Sequence, residues 1–325
     1  MHILLTGGAG FIGSHLLRAF IEHPEIDGIT VVDNLITGSR VNIDEVLDHP
    51  QVRFVQGDLR DYDLCRELCR GATAVCHQAA LGSVPRSIDD PIHTNSHNID
   101  GTLHIFEAAR HSGIKRVVFA SSSSVYGDHP GLPKVEHQMG KPLSPYAITK
   151  TVNELYAENF GRLYDMELIG LRYFNIFGPR QSPKGPYAAV IPLFIQAALD
   201  GKSPVINGDG SFSRDFTYVD NAVDANLKAL LTTDPKAVNQ NYNIACGERT
   251  TLTQLWETVA SIWEADTEAV YGPEREGDIP HSLADISKAR NLLDYTPSVG
   301  LREGLEKLRG YMTSHRGKNS HLTNG

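Results

Sequence analysis

The chain has 325 residues, a length of roughly two folding units at about 150 residues each. Its 41% hydrophobic and 21% charged residues suit an ordinary globular protein and exclude a disordered or fibrous one. Lys and Arg total 30 against 39 Asp and Glu, a formal charge of -9 with no basic block, which argues against nucleic acid or an anionic membrane surface as the partner. A few local cations can still hold a phosphorylated small molecule.

No stretch approaches about 18 consecutive apolar residues, so no spanning helix is expected. The opening run Met1-His2-Ile3-Leu4-Leu5 leads straight into Thr6-Gly7-Gly8, without a basic n-region or cleavage site. Four cysteines (Cys65, Cys69, Cys76 and Cys246) do not make a disulfide framework in a chain this long. Cys65 and Cys69 share a helix but lack further ligands at metal-binding spacing, so no metal is expected. The chain reads as soluble and cytoplasmic.

Short apolar runs bounded by Gly, Asp or Ser predict strands at Ile3–Thr6, Ile29–Val32, Val52–Val55, Ala74–His77, Arg116–Ala120 and Leu168–Arg172. Helical periodicity lies between several of them, over Phe11–Ile21, Asn98–His111 and Tyr146–Tyr164. Strand and helix alternating in this way predict a Rossmann-type α/β fold, a doubly wound parallel sheet with helices on both faces. Beyond about residue 175, Pro and Gly cluster between Gly178 and Pro192, at Asn207–Gly210 and at Gly272-Pro273. Helices are expected at Ala189–Leu199, Val219–Leu231, Leu252–Trp263, Ile286–Leu293 and Leu301–Tyr311. We therefore expect a dinucleotide domain over 1–175 and a smaller, intertwined α/β substrate domain over 176–313, some of whose segments return to the first. A frayed polar tail is expected over 314–325.

The first strand runs into Thr6-Gly7-Gly8-Ala9-Gly10-Phe11-Ile12-Gly13. Gly7 allows a tight turn, Gly10 a close backbone approach to pyrophosphate, and Gly13 close helix–strand packing. Free N–H groups at the helix start then face negative charge. Asp33, twenty residues past Gly13 at the end of the second strand, can accept both ribose hydroxyls. The same carboxylate would repel a 2′-phosphate, which favours NAD over NADP. Asp58 can reach the adenine edge; alternatively it caps a helix over Arg60–Leu68. No Gly-Lys-Ser/Thr follows the glycines, which excludes a P-loop.

A second constellation follows the fifth strand: Ser121-Ser122-Ser123-Ser124-Val125-Tyr126-Gly127, then Ser144-Pro145-Tyr146-Ala147-Ile148-Thr149-Lys150. Tyr146 and Lys150, four apart on one helix, share a face. A phenol with a reference pKa of about 10 is a weak base near neutrality. An adjacent Lys⁺ and a positive nicotinamide favour the phenolate. That group can take a proton from a sugar hydroxyl, with a serine hydroxyl holding the same oxygen.

On the motifs TGGAGFIG, GDLRD, SSSSVYG, SPYAITK, LRYFNIFGPRQ and REGD, the chain resembles the extended short-chain dehydrogenase/reductases of the nucleotide-sugar epimerase group across residues 1–313. The stretches GDHPGLPKVE and HSLADISKA are most similar to bacterial UDP-N-acetylglucosamine 4-epimerases. The resemblance implies a triad of Ser122, Tyr146 and Lys150, with Ser124 a second hydroxyl contact. It implies that Tyr173 and Phe174 line the nicotinamide region, that Asn98 supports the site, and that Phe11, Ile12, Asn34, Gly38, Leu59, Gln78, Ala79 and Ala80 complete the NAD set. For the UDP-sugar it implies Arg214 and Arg275 on the phosphates, whose guanidinium forks suit that contact, with Asn175, Ala189, Val190, Asn207 and Asp278 nearby. Ser83 and Arg86 are placed near the sugar, although a structural salt bridge accounts for Arg86 equally well.

The resemblance sets Ser282 beside the hexose 2-substituent, where a small residue leaves room for an N-acetyl group. Related 4,6-dehydratases carry Asp-Glu just after the triad hydroxyl, and decarboxylating relatives a Glu; here those places hold Ser123 and Ser124. The implied reaction is interconversion of UDP-N-acetylglucosamine and UDP-N-acetylgalactosamine through a transient 4-keto sugar. UDP-glucuronate, UDP-N-acetylhexosaminuronate and UDP-glucose 4-epimerases are the rivals. A non-catalytic NAD-sensing module and an oxidoreductase with net hydride export are the other classes. A homodimer pairing Asn98–His111 and Tyr146–Tyr164 in a four-helix bundle is also implied; periodicity alone suits packing within the chain equally well.

Overall fold

The computed structural model describes residues 1–182, 189–274 and 280–315. The six apolar runs form strands β1 (His2–Thr6), β2 (Gly28–Asp33), β3 (Val52–Gln56), β4 (Ala74–His77), β5 (Arg116–Ser122) and β6 (Glu167–Tyr173). A seventh strand, Gln240–Ile244, pairs beyond β6, so the sheet runs β3-β2-β1-β4-β5-β6 and then this strand. Every pairing in the sheet is parallel. The fold is a doubly wound α/β sheet. Burial on both faces explains why the inner strands read as apolar runs: all six residues of β2 are buried, whereas the edge strand β3 is only partly so.

Two cores sandwich the sheet. On one face the Phe11–Glu22 helix (Leu16, Leu17, Phe20) packs with the Val219–Leu231 helix (Ala222, Ala225, Ala229), which comes from the second half of the chain. On the other face lie helices Tyr62–Cys69, Gly101–His111 and Pro145–Tyr164, joined through Phe106 and Phe160 at 5.8 Å between ring centroids. Cys65 and Cys69 belong to that core, and burial pushes both thiols up to about 12. A third core gathers helices Val190–Asp200, Leu252–Trp263 and Leu301–His315 around Phe194, Trp256 and Leu305.

Four details depart from the sequence reading. The Asn98–His111 stretch begins inside a π-helical turn, Ser96–Asp100, before the α-helix proper. Two short helices, Val84–Asp89 and Pro91–Asn95, precede it, each with a capping side chain (Ser83, Asp90) and Pro in its first turn. The last helix runs through Ser314 to His315, so the tail does not fray at Ser314; residues 316–325 lie outside those described. The helix after β3 starts at Tyr62 and is capped by Asp61, which accepts from Leu64 N at 3.1 Å; Asp58 is not its cap. No helix among the described residues is long and apolar enough to cross a membrane.

β1 and β4 are neighbours, while the chain leaves them towards opposite edges of the sheet. Their carboxyl ends therefore open a crevice where a ligand can enter.

Candidate active site

A cleft of about 300 Å³ occupies that crevice. Of the predicted cofactor set, its lining takes in Gly7, Gly10, Phe11, Ile12, Gly13, Asp33, Asn34, Asp58, Leu59, Gln78, Ala79, Ala80, Tyr146, Lys150 and Tyr173. Gly38 and Asn98 are not part of that lining. The glycines fit the dinucleotide reading by measurement. Gly7 has φ +68°, and a Cβ there would lie 2.7 Å from Ala79 N. A Cβ on Gly13 would lie 2.1 Å from Gly7 O, so only glycine lets the helix start this close to the strand end. The residues present therefore fit NAD.

Asp33 is fixed by its own surroundings: Oδ2 accepts from Ala9 N at 3.0 Å and Oδ1 from Leu35 N at 2.8 Å. Burial pushes its carboxyl above the usual range, with those backbone N–H groups opposing. Asp58 accepts from Arg60 N (2.9 Å), Arg60 Nε (3.0 Å), Arg60 Nη2 (2.8 Å) and Asn34 Nδ2 (3.2 Å). The Arg60 guanidinium holds that carboxyl well below the ordinary carboxylate range.

At the far end of the cleft, Ser144 caps the Pro145–Tyr164 helix by accepting from Ala147 N at 3.1 Å, with Pro145 in the first turn. This cap sets Tyr146 in the first turn, where the positive helix end favours an anion. Tyr146 N donates to Ser87 Oγ at 3.0 Å, so the short Val84–Asp89 helix fixes its backbone. Lys150 is buried and donates from Nζ to Ala120 O at 2.7 Å. Burial pushes Lys150 down to about 8, with the Glu154 carboxylate opposing.

Burial is the largest influence on the Tyr146 phenol. It holds Tyr146 above its ordinary value, and the Ser122 hydroxyl is the group that opposes. Ser122 ends β5 opposite Tyr173 of β6, and its Oγ accepts from Ser124 N at 3.1 Å. Its own proton is thereby left for an oxygen in the site. Ser124 Oγ is buried without a hydrogen-bond partner among the described residues, and neither Ser122 nor Ser124 is among the residues lining the cleft.

Asn98, fully buried, ties the β4 exit to the Pro145–Tyr164 helix. Its Oδ1 accepts from Leu81 N at 2.7 Å, and its Nδ2 donates to Thr149 Oγ1 at 3.1 Å. Tyr173 is held by Asn226, whose Nδ2 donates to its hydroxyl at 2.7 Å, and donates in turn to Gln78 Oε1 at 3.0 Å. Phe174 lies behind it in the core. Sequence reasoning missed Asn226; the available signal was a buried Asn on the apolar face formed by Ala222, Ala225 and Ala229. It also missed Thr37, Gly57, Leu81 and His97 in the cleft lining.

Of the predicted substrate residues, Tyr146 lines this cleft and none of the described second-half members does. Asn175 sits two residues past β6, with Nδ2 donating to Asp215 O at 3.0 Å. Arg214 donates from Nη1 to Ser213 O at 3.0 Å and Pro280 O at 3.2 Å, and Ser282 N donates to Ser213 O at 2.9 Å. The segments carrying Arg214 and Ser282 are thus laced together. Asn207 pairs in register with Gly272, Ala189 flanks the start of the Val190–Asp200 helix, and Val190 is its first residue. Ser83 is a helix cap, accepting from Arg86 N at 3.2 Å. Arg275 and Asp278 lie outside the described residues.

Residues 3–245 match the model of the NAD dependent epimerase/dehydratase family. Among solved structures, the chain is similar to the UDP-N-acetylglucosamine 4-epimerase of Methanobrevibacter ruminantium in complex with UDP-N-acetylmuramic acid (40% identity, 97% of this chain and 98% of that one, TM-score 0.90). It is similar to the UDP-glucose 4-epimerase of Thermotoga maritima with UDP-glucose (36% identity, 97% and 100% covered, TM-score 0.90). It is also similar to the UDP-glucuronic acid 4-epimerase of Bacillus cereus in complex with UDP-glucuronic acid and NAD (31% identity, 97% and 99% covered, TM-score 0.89). The chain belongs to the NAD dependent epimerase/dehydratase family.

Proposed function

We propose that the chain is a UDP-sugar 4-epimerase that interconverts UDP-N-acetylglucosamine and UDP-N-acetylgalactosamine. The observation that carries this reading is Tyr146 and Lys150 on one helix face at the end of the dinucleotide cleft, with the Ser122 hydroxyl bearing on the phenol. NAD, when bound, supplies an acceptor for the C4 hydrogen and gives it back. Tyr146 takes the 4-hydroxyl proton through its phenolic oxygen, and Ser122 donates to the same sugar oxygen and keeps it in line. The Lys150 ammonium supports the phenolate charge. The 4-keto sugar turns over about its phosphate linkage, so that the returning C4 hydrogen would enter from the opposite face, and Tyr146 gives the proton back to the 4-oxygen.

Ser123 and Ser124 stand where elimination or decarboxylation would need carboxylates, which supports epimerisation over those outcomes. The small Ser282, laced to the strand that holds Arg214, supports an N-acetylhexosamine over a plain hexose. Arg214 and Arg275 are proposed to hold the diphosphate, with Asn175, Val190 and Asn207 on the nucleotide. UDP-glucuronate and UDP-glucose remain the competing substrates, since relatives named for both share this fold.

The proposed homodimer rests chiefly on the Pro145–Tyr164 helix, which leaves Ile148, Leu155 and Leu163 at least half exposed. Much of the apolar face of Gly101–His111 (Ile105, Phe106, Ala109) is already buried within the subunit.

The test is to incubate the purified protein separately with UDP-N-acetylglucosamine, UDP-glucose and UDP-glucuronate, resolving each C4 epimer. Fastest turnover of the N-acetyl sugar supports the reading. Turnover of UDP-glucuronate alone overturns the substrate, and loss of no activity in Tyr146→Phe overturns the chemistry.

A further inference from the structure

His77 closes β4 just before Gln78 and Ala79, which line the cleft, yet nothing in the reading above uses it. Its side chain is buried, with the ring edge-on to Phe106 at 6.4 Å between centroids. Both nitrogens have oxygen partners: Nδ1 is 2.7 Å from Thr6 Oγ1, and Nε2 is 2.9 Å from Thr102 Oγ1. Thr6 belongs to β1 and Thr102 to the Gly101–His111 helix, so one imidazole spans two elements.

The roles of the two nitrogens follow from the protons available. Thr102 Oγ1 lies 2.7 Å from the carbonyl oxygen of Asn98, which can only accept, so the hydroxyl gives its one proton there. Thr102 must then accept from His77, and Nε2 carries the proton. Thr6 Oγ1 accepts from Ala79 N at 3.2 Å, which leaves its own proton for Nδ1. Burial, with the Lys150 charge adding to it, pushes the imidazole down to about 3, so the ring is neutral and Nδ1 is a bare acceptor. Every group in this chain is matched, and only one tautomer fits it.

Each end of the chain meets the candidate active site. At one end, Ala79 N is the atom against which the glycine turn packs: a Cβ on Gly7 would lie 2.7 Å from it. At the other, Asn98 continues through Nδ2 to Thr149 Oγ1, which donates to Tyr146 O at 2.7 Å.

We propose that His77, fixed as the Nε2–H tautomer, is a positioning residue that sets the glycine turn and the Tyr146 helix in mutual register. Nδ1 serves the dinucleotide side and Nε2 the Tyr146 side. The inference rests on the epimerase reading, with NAD held in the cleft.

The test has a spectroscopic arm and a kinetic arm. With histidines labelled by the heavy nitrogen isotope, the His77 resonance is identified by its loss in a His77 variant or its shift in Thr102→Val. Its protonated nitrogen should be the one coupled to both ring C–H groups, which is Nε2. A proton on Nδ1, or on both nitrogens, overturns the proposal.

In the kinetic arm, the amide of His77→Asn reaches about as far as Nδ1 and can accept from Thr6, but leaves Thr102 without a donor. It should retain NAD on desalting within about threefold of wild type, while kcat on the best UDP-sugar falls about tenfold, the effect of one buried group left unpaired. His77→Gln, whose amide reaches about as far as Nε2, should do the reverse: retention down about tenfold, and kcat at saturating NAD within about threefold. Thr102→Val should repeat the His77→Asn pattern, and keeps the test open if the histidine variants do not fold. Retention and kcat falling together in both His77 variants, or unchanged in both, overturns the proposal. A wild type that retains no NAD overturns the cofactor reading instead, and retained NAD without UDP-sugar turnover overturns the reaction; the ring's tautomer is read independently of either.

Discussion

Arg172 meets Glu154 through two parallel hydrogen bonds, Nε to Oε1 at 2.9 Å and Nη2 to Oε2 at 2.7 Å, with both side chains buried. Glu154 lies one helical turn beyond Lys150 and also accepts from Ser121 Oγ at 2.5 Å, next to Ser122. The remaining Arg172 nitrogen donates to Tyr126 OH at 3.0 Å and Glu136 O at 2.9 Å. Tyr126 passes its proton bond to Asn243 Oδ1 at 2.6 Å, on the seventh strand. The pair therefore joins the Pro145–Tyr164 helix to β6 and to the sheet edge supplied by the second half.

Removing one partner leaves a buried charge uncompensated. Arg172→Met should destabilise the protein by about 3–5 kcal/mol in urea unfolding. An unchanged midpoint would mean that water reaches Glu154.

The two proton-carrying groups of the site predict the pH profile. With Lys150 lowered to about 8 and Tyr146 raised above its ordinary value, the pair gives up its first proton near pH 8 and its second at higher pH. The working state, phenolate beside ammonium, holds one proton between the two groups. Activity should therefore rise with pH up to a limb no higher than about 8, since a positive nicotinamide lowers both steps, and decline again at strongly alkaline pH. Lys150→Met should abolish the alkaline decline and lower kcat by about 10²-fold or more. A flat profile from pH 6 to 9 would contradict this coupling.

The cofactor turn can be tested without any turnover. A methyl group on Gly13 would press on Gly7 O at 2.1 Å and displace the N–H groups that face the pyrophosphate. Gly13→Ala should cut NAD retention on desalting by more than about tenfold, a loss of at least one such charge-assisted contact. Retention at the wild-type level would show that the turn does not hold the dinucleotide.

Sugar selection should respond to bulk at position 282. Ser282 is pinned by its backbone to Ser213 O, so a larger side chain must project rather than retreat. Ser282→Tyr should lower kcat/KM for UDP-N-acetylglucosamine relative to UDP-glucose by about 10–200-fold, the range open to a steric pocket. Equal effects on both sugars would remove Ser282 as the gate.

The inner strands were legible because they are largely buried on both faces and so carry apolar runs, as in β2 and β4; β3, at the sheet edge and only partly buried, was legible from Val52, Phe54 and Val55. The seventh was not. Gln240-Asn241-Tyr242-Asn243-Ile244 alternates with polar residues, because Asn243 serves the buried network rather than the core: it accepts from Tyr126, and its Nδ2 donates to Lys134 O and Asp285 O, each at 2.9 Å. The glycines, Asp33, Tyr146 and Lys150 announce themselves by spacing. Asn226 and His97 do not, since a single polar residue on a helix looks the same whether it faces solvent or a ligand. For Asp58 only the alternative failed: an Asp before a helix suggests a cap, and Asp61 is the one used, while Asp58 lines the cleft.

The central claim is that one hydrogen leaves C4 and comes back to it within the same site. UDP-N-acetylglucosamine deuterated at C4, incubated with the holoenzyme in ordinary water, should give UDP-N-acetylgalactosamine that keeps its deuterium at C4. Product whose C4 deuterium has been replaced from solvent, or steady accumulation of free NADH, would contradict it.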